Sequence, residues 1–208
     1  MSTVEHPLQA LDKYLPPNTF LPVAAYLQKY KVHLTVSRER KTILGNYRNA
    51  YNNHSHRISV NGNLNTFSFL ITLLHELAHL LTYEQYRNKV QPHGREWKTL
   101  YGQLLAQFIE NKVFPADIES ELLATLHNPG ASSCSEEGLV RILRNYDPQK
   151  DNYKLIMIEA VAVSSLFKLK DGRVFKKGER LRKRYKCEEI ATKRFFLFSP
   201  VYEVEVVN

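Results

Sequence analysis

Residues 66–87, TFSFLITLLHELAHLLTYEQYR, constrain this chain more than any other stretch. Asn65 or Thr66 can cap a helix here, and apolar residues then occupy every side of it until its last turns. A helix that is apolar all round lies inside a domain rather than on its surface. Yet His75, Glu76 and His79 sit in its middle. Polar groups left unpartnered in such a place cost several kcal/mol each. Whatever fold the chain adopts must bury this helix and also give these three side chains something to bind.

The three residues form the pattern HExxH. Residues four apart lie one turn above each other on one helical face, so His75 and His79 can converge on a single Zn²⁺. Glu76, next to the first histidine, can reach a water on that metal without being a ligand, and can act as its general base. A third protein ligand is required. The continuation HExxHxxGxxH is absent, because Thr82 stands in place of its glycine and Gln85 in place of its last histidine. Glu84 is too close on the same helix to aim back. Glu96, Glu110, Glu119 or Glu121 from a following helix could serve, as could His93, which begins HGREW fourteen residues after His79. The residues alone leave that choice open.

Around this helix the pattern is α+β. Residues 7–15 read as a short helix stopped by Pro16-Pro17, and FLPVAAYLQKY as a second, capped by Asn18 or Thr19. In KVHLTV, Val32, Leu34 and Val36 alternate with polar residues, as in a half-exposed strand. KTILGNYR and HRISVN read as two more strands, giving a small antiparallel sheet, with NAYNNHSH as the turn between them. His54 and His56 in that turn, like His6, are expected to be solvated; His33 falls on the polar side of its strand and His127 ends a helix. Further helices are expected from about Pro92-His93, after Pro115, and over SEEGLVRILRNY with Ser135 as its cap. From Tyr153 onward β-formers and basic residues dominate, with an Asp171-Gly172 hairpin turn and two strands broken at Pro200. The expected organisation is a domain over residues 1–130, a linker with a short helix over 131–152, and a basic β-rich module over 153–208.

Net charge is +8, and residues 168–194 hold twelve Lys/Arg against four Asp/Glu, so the whole excess lies there. Such a segment, Lys168 to Arg194, suits an acidic partner such as DNA. Only Cys134 and Cys187 occur, too few for a disulfide framework or a four-cysteine zinc site. No apolar run reaches membrane-spanning length, and no basic start followed by an apolar stretch opens the chain, so a cytoplasmic protein is expected.

HELAH, a spacer and HGREW, preceded by a strand with Leu44-Gly45 and by ISVNGNL entering the helix, resemble the SprT-like family over roughly residues 20–110. That family includes bacterial SprT proteins and eukaryotic DNA–protein-crosslink proteases. The resemblance implies a zincin-like helical domain and a zinc metallopeptidase acting on protein or peptide substrates. It implies His93 as the third zinc ligand beside His75 and His79, with Glu76 as the base, and carries over no further residue; Gly94 would then allow close backbone approach at His93, and Trp97 would pack the second helix on the first. Many members end in a four-cysteine zinc ribbon, which Cys187 alone cannot form. Phe167, Phe175, Tyr185, Phe196 and Phe198 are expected to form the core of the C-terminal module instead, with stacking on single-stranded bases as the alternative. Two other readings stay open: a nucleic-acid-binding or regulatory protein with a vestigial or structural zinc site, and a zinc hydrolase of a non-peptide bond.

Overall fold

A computed structural model describes residues 8–40, 42–134, 136–148 and 155–207. They fall into two compact units, Met1–Asp147 and Pro148–Asn208. Among the described residues no helix is long and apolar enough to cross a membrane.

The first unit is built around the apolar helix. A 3₁₀ turn at Gln9–Tyr14 is followed by α1 (Phe20–Lys29), β1 (His33–Ser37), β2 (Gly45–Arg48), β3 (Arg57–Asn61), α2 (Thr66–Tyr86), α3 (Arg95–Glu110), α4 (Ala116–Thr125) and α5 (Glu137–Leu143). Asn65 caps α2: its Oδ1 accepts the Ser68 amide at 2.8 Å, while its Nδ2 donates to the Leu143 carbonyl and to Asp147. One side chain thus satisfies an orphan helix donor and ties the start of α2 to the end of α5. Phe69, Leu70, Ile71, Leu73, Leu74, Leu77, Ala78 and Leu80 are all fully buried, so α2 is interior on every side. Each large apolar side chain so buried contributes about 1.5–3 kcal/mol, which fixes where the helix lies. Leu104, Leu105 and Phe108 of α3 share this core, as do Leu139 and Leu143 of α5. Helix α5 starts after Glu136; the expected cap, Ser135, lies outside the described residues.

The sheet has the order β1-β3-β2 and is mixed rather than antiparallel throughout. β2 and β3 form the expected antiparallel pair, but β1 runs parallel to β3. β1 adds to the free edge of β3 instead of pairing with its sequence neighbour β2. Period-two alternation reports which face a residue takes and says nothing of which strand lies beside it. The central strand is the most covered, with Ile58 and Val60 fully buried against the helices.

The second unit is one antiparallel sheet, β4 (Leu155–Met157), β5 (Leu166–Lys168), β6 (Val174–Leu181), β7 (Arg184–Glu189), β8 (Phe195–Phe198) and β9 (Glu203–Val207), in the order β4-β9-β5-β6-β7-β8. The β5–β6 hairpin turns at Asp171-Gly172, where Gly172 takes φ +89°, a conformation that suits glycine. Phe167, Phe175, Phe198 and Cys187 are buried, with Tyr185 and Phe196 packed against them. Cys187 is fully buried because its strand alternation points it into this aromatic core.

Candidate metal centre

His75 and His79 project from one face of α2, as their spacing requires. His93 reaches the same point from the turn before α3. The three Nε2 atoms come together: His79 to His75 at 3.3 Å and His93 to His75 at 3.3 Å. These three are the cluster of metal-ligating side chains found among the described residues, and no aspartate or glutamate joins them. Glu84 pairs instead with Arg87 and His56, and Glu119 with Lys112.

The donor set fits zinc. Two ligand nitrogens about 2.05 Å from a tetrahedral ion lie roughly 3.3 Å apart, and the observed spacing matches. Two neutral imidazoles could share a proton at that distance, whereas three nitrogens converging on one point suit a cation held between them. Protonation of the cluster is disfavoured: burial, reinforced by the neighbouring histidines, lowers the pKa of His75 to about 3 and of His79 to about 4. His93 is lowered too, by burial and by the charge of Lys98. The imidazoles therefore keep their lone pairs at neutral pH, which metal binding needs.

Backbone and aromatic packing hold the third histidine. His93 takes φ +56°, a left-handed conformation that histidine tolerates better than most residues. Gly94, the N-cap of α3, follows in extended backbone, and a Cβ there would lie 2.9 Å from the Gln91 carbonyl oxygen. Trp97 is fully buried, with its ring 4.6 Å from His93, 4.7 Å from His75 and 5.3 Å from His79. It packs α3 on α2 and walls the cluster at once. Trp97 Nε1 and His75 Nδ1 are buried with no hydrogen-bond partner among the described residues, so ring packing rather than an outer acceptor orients them.

Glu76 lies beside the cluster on the side of β2. Its carboxyl pKa is raised to about 7 by burial, against the opposing pull of Arg40 and of a hydrogen bond donated by the Tyr47 amide. Gly45 lets β2 approach: a Cβ there would lie 2.5 Å from Glu76 Oε1 and 2.7 Å from Thr72 Cγ2.

His56 corrects one expectation. It is buried, not solvated: Nδ1 lies 2.9 Å from the Tyr47 hydroxyl and 3.3 Å from the Ala50 amide that donates to it, and Nε2 lies 3.3 Å from Glu84. The amide must donate, so Nδ1 accepts and Nε2 carries the proton toward Glu84. His56 thereby ties β2, β3 and α2 together, and Tyr47 stacks parallel on His79 with ring centres 6.4 Å apart. The signal was present in HRISVN: if Ile58 and Val60 point inward, so does the residue two before them.

A model of the SprT-like family matches residues 17–119, which hold all four residues of the centre. These residues belong to the SprT-like family. A shorter stretch of 31 residues is 58% identical to Protein SprT of Glaesserella parasuis serovar 5 (strain SH0165), covering 15% of this chain and 19% of that protein. No solved structure matches the chain. SprT-like membership points to a zincin-like metallopeptidase family, and this SprT-like domain presents a possible three-histidine metal site.

Proposed function

We propose that the SprT-like domain is a zinc-dependent metallopeptidase that hydrolyses peptide bonds, with His75, His79 and His93 holding the metal and Glu76 as general base. The observation that carries this reading is the meeting of three neutral imidazole nitrogens at 3.3 Å next to a buried carboxyl. When bound, zinc supplies Lewis acidity, lowering the pKa of a coordinated water toward ~7 and polarising a carbonyl. The chain's own part is proton handling. A carboxyl with a pKa of about 7 can take a proton at neutral pH and return it to the leaving amine. The Tyr47 amide and Gly45 hold that carboxylate in one place. A structural zinc site has no need of such a base.

A peptide substrate is supported by the sheet. β2 is an edge strand, paired with β3 on one side only, and it runs beside Glu76. An extended peptide can pair along such an edge and present its backbone to the centre. Substrates associated with DNA are supported by the basic C-terminal segment, where Arg180, Arg182, Lys183, Arg184 and Lys186 are all exposed. Phe195 there is 61% exposed and carries the Lys186 ammonium 4.2 Å over its ring, a pairing suited to stacking on a base.

The test is proteolysis by zinc-reconstituted protein of an unfolded protein substrate, with products identified by mass spectrometry. Chelator-sensitive cleavage at peptide bonds is expected. Full zinc occupancy with no cleavage, with or without DNA, would reject the peptidase reading.

A further inference from the structure

The outward face of the three-stranded sheet carries side chains for which the proposed hydrolysis has no use. Alternation puts His33 and Thr35 of β1, Arg57 and Ser59 of β3, and Asn46 and Arg48 of β2 on this face, opposite the side that packs on the helices. Register arranges them in rows. His33 stands opposite Arg57, and Arg57 opposite Arg48; Thr35, Ser59 and Asn46 form the next row.

Arg40 lies over the second row. Its Nε donates to Asn61 Oδ1 at 2.8 Å and its Nη1 to Ser59 Oγ at 2.9 Å, with the remaining bonds to the Leu44 and Ser59 carbonyls. All these hydrogen-bond acceptors are neutral, so the guanidinium is fixed in place with no carboxylate among its hydrogen-bond partners, and its charge acts on Glu76 only at longer range. Together these residues line a shallow depression of about 200 Å³ whose lining contains no aspartate or glutamate. Among the described residues, Arg48 and Arg57 have no carboxylate partner. Like charges placed directly opposite on neighbouring strands destabilise a sheet. An anion lying across the row would relieve that repulsion.

We propose that this face binds the sugar–phosphate backbone of a single-stranded nucleic acid. Arg48, Arg57 and Arg40 would meet the phosphates, and the Thr35, Ser59 and Asn46 side chains would donate to phosphate oxygens. The cationic row spans two strand spacings, roughly 10 Å, the footprint of one backbone rather than of both backbones of a duplex. The face offers no helix or ribbon to enter a groove, and its lining holds no phenylalanine, tyrosine or tryptophan, so it reads charge rather than sequence. β2 belongs both to this face and to the wall of the metal centre, where its Tyr47 amide meets Glu76. A bound strand would therefore lie on the opposite side of the strand that positions the base.

The test uses the full chain as purified, with its metal content matched between variants, and a labelled oligothymidylate titrated by fluorescence anisotropy across a salt series. Replacing Arg48→Gln and Arg57→Gln together should make the slope of log affinity against log salt shallower by about 1.4, about 0.7 for each phosphate no longer neutralised. Affinity at low salt should fall roughly tenfold or more. The same fall should occur in a background carrying Arg182→Gln, Lys183→Gln and Arg184→Gln, which separates this face from the C-terminal segment. Arg48→Lys with Arg57→Lys should restore the slope, and the glutamine pair should unfold at or above the wild-type temperature because the repulsion is gone. An unchanged affinity and slope in the glutamine pair would overturn the proposal. So would polyglutamate displacing the oligonucleotide as well as unlabelled oligothymidylate does, since the face would then fit an acidic protein. The assay reads binding of a ligand with no peptide bond and does not depend on hydrolysis, so its failure leaves the peptidase reading standing, and the reverse holds.

Discussion

Gly45→Ala adds one methyl group where β2 crosses α2, and the structure says what it meets. The new Cβ would lie 2.5 Å from Glu76 Oε1, 2.7 Å from Thr72 Cγ2 and 2.9 Å from Glu76 Cγ. Ordinary contact begins at 3.4 Å, so the shortfall at the carboxylate is about 0.9 Å. Gly45 does not have a left-handed φ, so the backbone itself tolerates alanine and only the contact matters. Thr72 is fully buried and β-branched, and cannot swing away. Either β2 backs off, or Glu76 moves and loses the Tyr47 amide. Overpacking of this kind costs about 1–3 kcal/mol. A misplacement of about 1 Å at a catalytic group can cost on the order of 100-fold in rate. The histidines are untouched, so zinc content should stay at wild-type level. Thermal unfolding, metal analysis and peptide hydrolysis on the same preparation separate these effects. Wild-type turnover together with wild-type stability in Gly45→Ala would refute the close approach of β2 to Glu76.

His79→Ala removes one of the three proposed ligands and should abolish zinc binding; with zinc near 1,000 times its dissociation constant, about 4 kcal/mol of ligand-linked stability should go with it, read as loss of the zinc-dependent rise in melting temperature. In metal-free protein, His75 and His79 are lowered from 6.5 to about 3 and about 4, so their contribution to stability is complete above pH 6.5 and is lost as pH falls through 4 and 3. Glu76, raised from 4.5 to about 7, acts with the opposite sign between those values. The melting temperature of chelator-treated protein should therefore fall below pH 6.5, and more steeply in Glu76→Gln over pH 4.5–6.5; parallel curves would contradict the burial of Glu76. His56→Ala leaves the Tyr47 hydroxyl and the Ala50 amide without their acceptor and should cost about 1–3 kcal/mol, seen in denaturant unfolding; a neutral result would mean His56 does not tie β2 to α2.

How much of this is legible in the sequence depends on how local the cause is. The position of α2, its Asn65 cap and the shared face of His75 and His79 follow from spacing alone, because helix periodicity acts over a few residues. Asp171-Gly172 and the break at Pro200 are equally local. The pairing of β1 with β3 is not, since any strand with a matching apolar face could have taken that edge. His93 needs the HGREW pattern, because its approach depends on a left-handed residue and on Trp97 packing between two helices. The polar look of NNHSH disguises His56, although the alternation of the following strand already puts it inward. The importance of Gly45 and of the Tyr47 amide is tertiary: a glycine in a strand gives no hint of which carboxylate its missing side chain makes room for.

Glu76→Gln tests the central claim most directly. Glutamine keeps the size of the side chain and leaves His75, His79 and His93 in place, but it cannot accept a proton. Wild-type and variant protein, matched for zinc content and melting behaviour, should be compared in cleavage of one protein substrate. The expected result is equal zinc in both and no turnover in the variant. Cleavage by Glu76→Gln at the wild-type rate would contradict the assignment of Glu76 as the base, and with it the mechanism built on this centre.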